Sequence, residues 1–517
     1  MRWQNAYICS NAFTVGGIKQ LANQTLWFGL SNILGRFVSY LLTPILLYSF
    51  HAGEFGDISI LFASAAFLNI IFTYGMETSY FRFNQVEDER KVFNTAFSSL
   101  LLTTLIFSLV LILQAQLLAN MMKQNEHPDF VVWVIAIVAL DTLAVLPFSK
   151  LRHAGRPKKF ALIKLANILI NVGLAAFFLL LCKPAQEAGT GSFLGGLYDP
   201  AIGTGYVFIA QLLASLITFA LLFREWKDFR LTFDKKLFTE LMIYSMPLVV
   251  VGFGGMINET IDRFMVLFRF SGTVQEARAA NGIYSANYKL AILIVIFIQT
   301  FRMGAEPFFF KNASSENAKG TYARIMNLFV IACCFCYLCV VLYLDIWKHF
   351  MSVKKHPEYL QGLVVVPILM LSKIFLGIYY NLSIWYKLTN KNSTGAVITI
   401  VGALITLLVN YLLIPSLGFL ACAWATVACY GTMMLMSYFM GQKHYPIPYE
   451  WKKVLGYIGL SVGLYLLHAV IRTNAQSIWL VHGTATLLMF IFTLIVLVRE
   501  KEELNKVPLI KKLYRKR

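Results

Sequence analysis

The chain is poor in charge. Only 14% of its 517 residues are Asp, Glu, Lys or Arg, while 58% are hydrophobic. Soluble domains carry roughly 25% charged residues on average, so a soluble globule is excluded. Carboxylates are the scarcer sign, with 26 acids against 45 bases. Disulfide scaffolding is also missing. Four of the eight cysteines, Cys333, Cys334, Cys336 and Cys339, fall within one apolar run. Thiols in such a run pack as small hydrophobes, and with no histidine beside them they match no zinc spacing. No metal and no cofactor is called for. Nor is any loop long enough for a soluble domain. The longest, about 183–200, is small and glycine-rich, so nothing could house the external catalytic domain of a membrane glycosyltransferase, polymerase or ligase. Met1–Gln20 is polar and lacks the apolar core of a cleavable signal. The first apolar run, near Leu26, is expected to serve as its own insertion signal.

What the chain does contain is apolar runs of membrane length. A helix needs about 20 apolar residues to cross hydrocarbon, and fourteen such runs can be read near 26–50, 58–81, 93–119, 130–149, 160–182, 201–223, 238–268, 282–310, 325–346, 359–386, 395–414, 418–440, 454–471 and 477–498. The expected fold is therefore an all-α integral membrane protein of about fourteen transmembrane helices. Alternate loops are rich in lysine and arginine, among them Lys150 to Lys159, Arg224 to Lys236 and the tail after Val498. The other loops hold only Lys123, Lys183, Arg269, Arg278, Lys348, Lys354, Lys355 and Arg472. The positive-inside rule puts the first set in the cytoplasm, and an even span count then puts both termini there. Topology accounts for most of the net charge of +19, and a nucleic-acid partner is not expected.

An internal repeat follows. Gly75-Met-Glu77 through Phe81-Arg82 matches Gly304-Ala-Glu306 through Phe310-Lys311, and upstream Gly56-Asp-Ile-Ser59 matches Gly282-Ile-Tyr-Ser285. An arginine, Arg36 or Arg263, stands about one helix length before each copy. Six spans separate the copies, so both cross in the same direction. That implies two six-helix lobes related by a pseudo-two-fold axis along the membrane normal, plus two C-terminal helices. The corresponding divisions are a cytoplasmic arm at 1–24, an N-lobe at 25–236, a C-lobe at 237–441, a helix pair at 442–498 and a basic tail at 499–517.

Charges within spans mark the candidate site, because each costs at least ~2.5–3.5 kcal/mol at bilayer depth. Arg36, Arg263, Lys289, Arg302 and Lys373 are candidates to line a cationic cavity. Lys164, near a span end, is read as a snorkelling charge. Thirteen residues turn a helix by roughly 140° the short way round, so Lys289 and Arg302 need not face the same edge. The acids are Glu77, Asp141, Glu259, Asp262 and Glu306, candidates for ion coupling or gating. Glu259, Asp262 and Arg263 share a helix face by their spacing and read either as an internal ion pair or as a proton or sodium site. Glu77 and Glu306 are expected to pair with Arg82 and Lys311. Pro247, Gly252, Gly254, Gly255, Gly304 and Pro307 are expected bending points.

The runs Tyr244-Ser-Met-Pro247, Ile261-Asp262-Arg263-Phe264, Gly282-Ile-Tyr284-Ser285-Ala-Asn-Tyr288-Lys289 and Glu306-Pro307-Phe308, with Gly29 to Arg36 and Phe55-Gly56, resemble the bacterial oligosaccharide flippases. These form the polysaccharide transporter family of the multidrug/oligosaccharidyl-lipid/polysaccharide exporter superfamily. The likeness spans about residues 20–500. It implies fourteen helices in two lobes, alternating access, and an undecaprenyl-diphosphate-linked oligosaccharide moved from the inner to the outer leaflet of the cytoplasmic membrane for O-antigen, capsule or exopolysaccharide. The implied partners are that lipid-linked sugar, membrane lipids and a coupling H+ or Na+. A functional monomer in contact with polysaccharide polymerase machinery is expected. A lipid II flippase or a cation-coupled drug exporter of the same superfamily is the alternative, although a cation exporter would line its cavity with acids.

Overall fold

The computed structural model describes residues 34–504, apart from 36, 39, 190–191, 352–354 and 475–476. In hydrocarbon every backbone amide must find its partner within the protein, which leaves the helix as the form these runs can take. Among the described residues, twelve helices are long and apolar enough to cross a membrane, and two shorter apolar helices accompany them. In chain order they are α1 (Tyr40–Ser49), α2 (Ala52–Phe83), α3 (Glu89–Leu113), α4 (Pro128–His153), α5 (Pro157–Glu187), α6 (Gly205–Leu221), α7 (Lys235–Arg269), α8 (Val274–Lys311), α9 (Ala318–Val341), α10 (Pro357–Leu388), α11 (Asn392–Leu417), α12 (Leu420–His444), α13 (Trp451–Asn474) and α14 (Ile478–Arg499). Each overlaps one of the fourteen apolar runs, and the protein is a multi-pass membrane protein.

Local chemistry sets the helix ends. Asp88 accepts a hydrogen bond from the Lys91 amide and starts α3, and Asp234 accepts from the Leu237 amide and starts α7. Thr273 and Glu276 cap α8 reciprocally, satisfying donors that a helix leaves orphaned. Pro128, Pro157 and Pro357 open α4, α5 and α10, where a missing amide hydrogen costs nothing. The expected bends in α7 and α8 do not interrupt them, since both run as single helices through Pro247 and Pro307. The break falls in α2 instead, where Tyr74 and Gly75 take φ of 31° and 73°. This left-handed pair divides α2 into Ala52–Thr73 and Met76–Phe83.

Packing repeats with the sequence. Helix α2 lies on α4 as α8 lies on α10, α4 on α6 as α10 on α12, and α5 on α6 as α11 on α12. Gly35, just before α1, abuts Ile168 of α5 as Gly254 of α7 abuts Thr399 of α11. The matched acids follow the same rule. Glu77 of α2 pairs with Arg152 of α4, and Glu306 of α8 pairs with Lys387 of α10 at 2.6 Å. Arg82 and Lys311 are thus not the partners. Five residues along a helix turn the side chain roughly 140° away, and Arg82 packs over the Tyr244 ring instead. Helices α13 and α14 lean on α9.

The loops segregate to two ends. At one end Lys91 meets Asp234 and Lys159 meets Glu225; this is the basic end. At the other, the lysine-poor end, the few bases serve as clamps. Lys183 donates to the Ser49 carbonyl, Lys123 to the Leu267 carbonyl, and Lys348 and Arg472 share Asp345. The connection before α10, basic though it is, packs here against the start of α2, with the Tyr359 hydroxyl donating to the Phe50 carbonyl at 3.0 Å.

The two lobes meet most closely where α2 crosses α8. A Cβ on Gly282 would strike the Ala52 carbonyl, and a Cβ on Gly56 would strike the Arg278 carbonyl. Backbone faces backbone, so neither side can yield cheaply. Gly282→Ala is expected to destabilise the protein by about 1–3 kcal/mol, read as thermal unfolding in detergent. Gly255→Ala, where a Cβ meets open space, should not destabilise it. Equal losses in the two variants would refute the crossing.

Candidate functional site

A cavity of about 240 Å³ opens between the lobes. Its walls are α1 and α2 on one side and α7 and α8 on the other, with Thr43, Ser59, Thr260 and Ser285 offering hydroxyls and Arg263 and Lys289 offering charge. Among the described residues, no carboxylate lines it. Ser59 and Ser285 stand one helical turn past Gly56 and Gly282, so the chamber begins just beneath the glycine crossing. Two larger hollows lie elsewhere. One of about 480 Å³, between α13 and α14, mixes Lys452, Lys453 and Arg499 with Glu500. One of about 670 Å³, at the lysine-poor end, mixes Lys123 and Arg278 with Glu54 and Asp57. Neither combines an interlobe position with charge of one sign.

The five expected cavity bases separate. Lys289 makes no ion pair or hydrogen bond among the described residues. Arg263 lines the cavity but uses Nη1 for Asp262 Oδ1 at 2.9 Å and for the Glu259 carbonyl at 2.8 Å. Its guanidinium stacks over the Tyr288 ring. Lys373 is away from the cavity and wholly buried, with Nζ 3.1 Å from Glu259 Oε2 and 2.5 Å from the Tyr288 hydroxyl. Arg302 lies toward the basic end, its Nε 2.7 Å from Glu306 and its guanidinium over Tyr380. Arg36 falls outside the described residues.

The acids are likewise distributed. Glu259 accepts from Tyr288 at 2.5 Å, Tyr430 at 2.8 Å and Lys373, while Asp262 accepts from Tyr284 at 2.5 Å. Within the i, i+3, i+4 trio the two carboxylates thus take different partners. Arg263 neutralises Asp262, and Glu259 turns to α10 and α12. Asp141 accepts from Ser215 of α6 inside the N-lobe. Glu77 and Glu306 close α2–α4 and α8–α10 contacts at the basic end. The tyrosines that hold these acids are not evident from the sequence. Tyr284 and Tyr288 are legible there as part of a motif, but their partners Asp262 and Glu259 on the preceding helix are set by how α7 and α8 are rotated against each other.

Closure at the lysine-poor end spans the lobes. Arg278 of α8 meets Asp57 of α2 at 3.3 Å and also donates to the Lys123 carbonyl. Asn281 donates to the Gly56 carbonyl at 3.2 Å, and Tyr40 stacks on Phe350. His51, at the start of α2, lies against His356 and Glu358 at the start of α10. Toward the basic end Thr300, Met303, Gly304 and Pro307 of α8 are exposed among the described residues.

A family model described as "Polysaccharide biosynthesis protein" matches residues 21–313. No curated protein matches the chain. Among solved structures, one titled "Lipid II flippase MurJ, inward closed conformation" superposes with a TM-score of 0.69 at 13% identity, covering 91% of this chain and 98% of that one. An inward-facing multidrug resistance MATE family transporter gives 0.61 at 11% identity over 78% of this chain and 93% of that one. A MATE protein in complex with MaL6 gives 0.56 at 12% over 83% and 98%. At such identities the likeness is one of fold alone.

The Glu259–Lys373 pair predicts an asymmetry. Glu259→Gln leaves the buried Lys373 ammonium without its carboxylate and should cost about 3–5 kcal/mol. Lys373→Met leaves a carboxylate whose side chain is 40% exposed and still held by two tyrosines, so it should cost less. The thermal stabilities of the two variants in detergent test this, and the reverse order would refute it.

Proposed function

Since the chain belongs to the polysaccharide biosynthesis protein family, we propose that it is a flippase for polyprenyl-diphosphate-linked oligosaccharide. In this reading it carries the headgroup from the inner to the outer leaflet of a bacterial cytoplasmic membrane. The observation that supports it is the interlobe cavity, whose charged lining is cationic and free of carboxylate. A diphosphate with an attached sugar cannot cross hydrocarbon without losing many hydrogen bonds. Lys289, Arg263 and the four hydroxyls replace that water, while the polyprenyl tail stays in lipid.

With the basic end assigned to the cytoplasm, the lobes are clamped at the outer face, and the cavity is placed to load from inside. Transport then requires the outer clamps, Arg278–Asp57 and Asn281–Gly56, to part while the basic ends approach. Moving two negative charges outward gains about 4.6 kcal/mol per 100 mV, inside negative. Glu259 and Asp262, each held by tyrosine hydroxyls, are the acids placed nearest the cavity bases for coupling to H+ or Na+. Lys373 and Arg302 take positioning roles in this scheme. Lys373 fixes Glu259, and Arg302 joins Glu306 to the α10 end. Lipid II offers the same polyprenyl diphosphate and is the second reading.

The test is transport of fluorescent lipid-linked oligosaccharide in proteoliposomes, scored by accessibility from each leaflet and run in parallel with lipid II. A hydrogen bond between a charged side chain and the diphosphate contributes about 1.5–3 kcal/mol. Lys289→Ala and Arg263→Ala should therefore each slow flipping roughly 10- to 100-fold with insertion intact, and Lys289→Arg should retain most of it. Unchanged flipping in Lys289→Ala would overturn the assigned role, and transport of lipid II alone would reassign the cargo.

A further inference from the structure

At the lysine-poor end, three side chains of metal-ligating chemistry converge from two lobes. His51 caps the first turn of α2, while His356 and Glu358 belong to the start of α10. One ligand atom from each lies within 4.8 Å of the others. His51 Nδ1 is 3.2 Å from Glu358 Oε1, and His356 Nδ1 is 3.6 Å from the same oxygen. Metal–nitrogen and metal–carboxylate bonds of about 2.0–2.1 Å at tetrahedral angles set ligand atoms about 3.3 Å apart. The two separations straddle that value. The imidazole rings are 4.3 Å apart between centroids and inclined by 74°, so they do not stack face to face.

The second observation is His356 itself. Its side chain is only 5% exposed, and among the described residues neither ring nitrogen makes a hydrogen bond of normal geometry, the Tyr48 backbone and the Glu358 carboxylate being its polar neighbours. A buried imidazole so weakly bonded is costly, and coordination of an ion by a ring nitrogen would offset that cost. His51, by contrast, is open, with 73% of its side chain exposed, which gives an ion a path from the aqueous face.

We propose that His51, His356 and Glu358 form a site for a divalent transition metal of the zinc type, with water as the fourth ligand, and that the ion ties the N-lobe to the C-lobe at this end. Two imidazoles and one carboxylate are a donor set suited to Zn2+. Mg2+ and Ca2+ take oxygen shells that the trio does not supply. The ion would bridge α2 and α10 alongside the Gly56–Gly282 crossing and hold that end shut. Metal would thus stabilise the one conformation in which the trio is assembled and oppose separation of the lobes. This does not depend on which cargo the cavity carries.

The experiment uses the full-length protein, freed of metal by a chelator and titrated with Zn2+ calorimetrically, without cargo. One site per chain is expected. It should weaken at least about tenfold in His51→Ala and in Glu358→Gln, since losing even an outer partner of a metal ligand costs that much. His51 is exposed, so His51→Ala keeps the test valid if a His356 variant fails to fold. In a background without the native cysteines, spin labels at Phe193→Cys and Ile346→Cys report the spacing of the lobes at this end. Zn2+ should narrow their distance distribution, and His51→Ala should abolish the narrowing. Equal Zn2+ binding by the original protein and His51→Ala overturns the site. Binding that leaves the distance distribution unchanged overturns the bridging.

Discussion

The approach of two backbones at Gly56 and Gly282 is the constraint on which the rest of the molecule depends. Only residues without a Cβ allow α2 and α8 to come this near. Once they do, Asp57 is in reach of Arg278, and Asn281 is in reach of the Gly56 carbonyl. One turn further on, Ser59 and Ser285 enter the wall of the cavity. The crossing thus closes one end and sets the roof of the chamber. Among the described residues, the cavity's cations, Arg263 and Lys289, both come from the C-lobe.

Burial of charge is handled in two different ways. Lys373, Arg302, Glu259, Asp262 and Glu306 are each satisfied by an opposite charge, a tyrosine hydroxyl or a ring face, as the low dielectric of a helix bundle requires. Lys289 stands apart, placed in a hollow with hydroxyls and no acid. A structural charge would not be left in this way, since an ammonium needs solvent or an anion to offset its desolvation. The cavity's cationic character therefore rests on what surrounds Lys289 as much as on the lysine itself.

The two copies of the repeat have diverged in mechanics. Gly75 adopts a left-handed conformation and breaks α2, while Gly304 sits in an unbroken α8. Yet the acid two residues later reaches a base on the equivalent neighbouring helix in both lobes. Keeping the tie while changing the helix geometry gives the lobes similar frames built on differently shaped helices.

The sequence by itself determined the class, the number of helices and the repeat, because bilayer thickness fixes the length of an apolar run and helices forced by lipid need no distant partner. It also marked Arg263 and Lys289 by the cost of charge at that depth. It could not say that Lys373 would turn to Glu259, since those residues lie on helices three spans apart, or that Glu77 and Glu306 would bypass Arg82 and Lys311. Only the tertiary structure decided which charges share a chamber, which tyrosines restrain the acids, and that His51 would stand beside His356. Side-chain pairing depends on how helices are rotated and stacked about one another, and that rotation is settled by packing across the whole bundle rather than by any one segment.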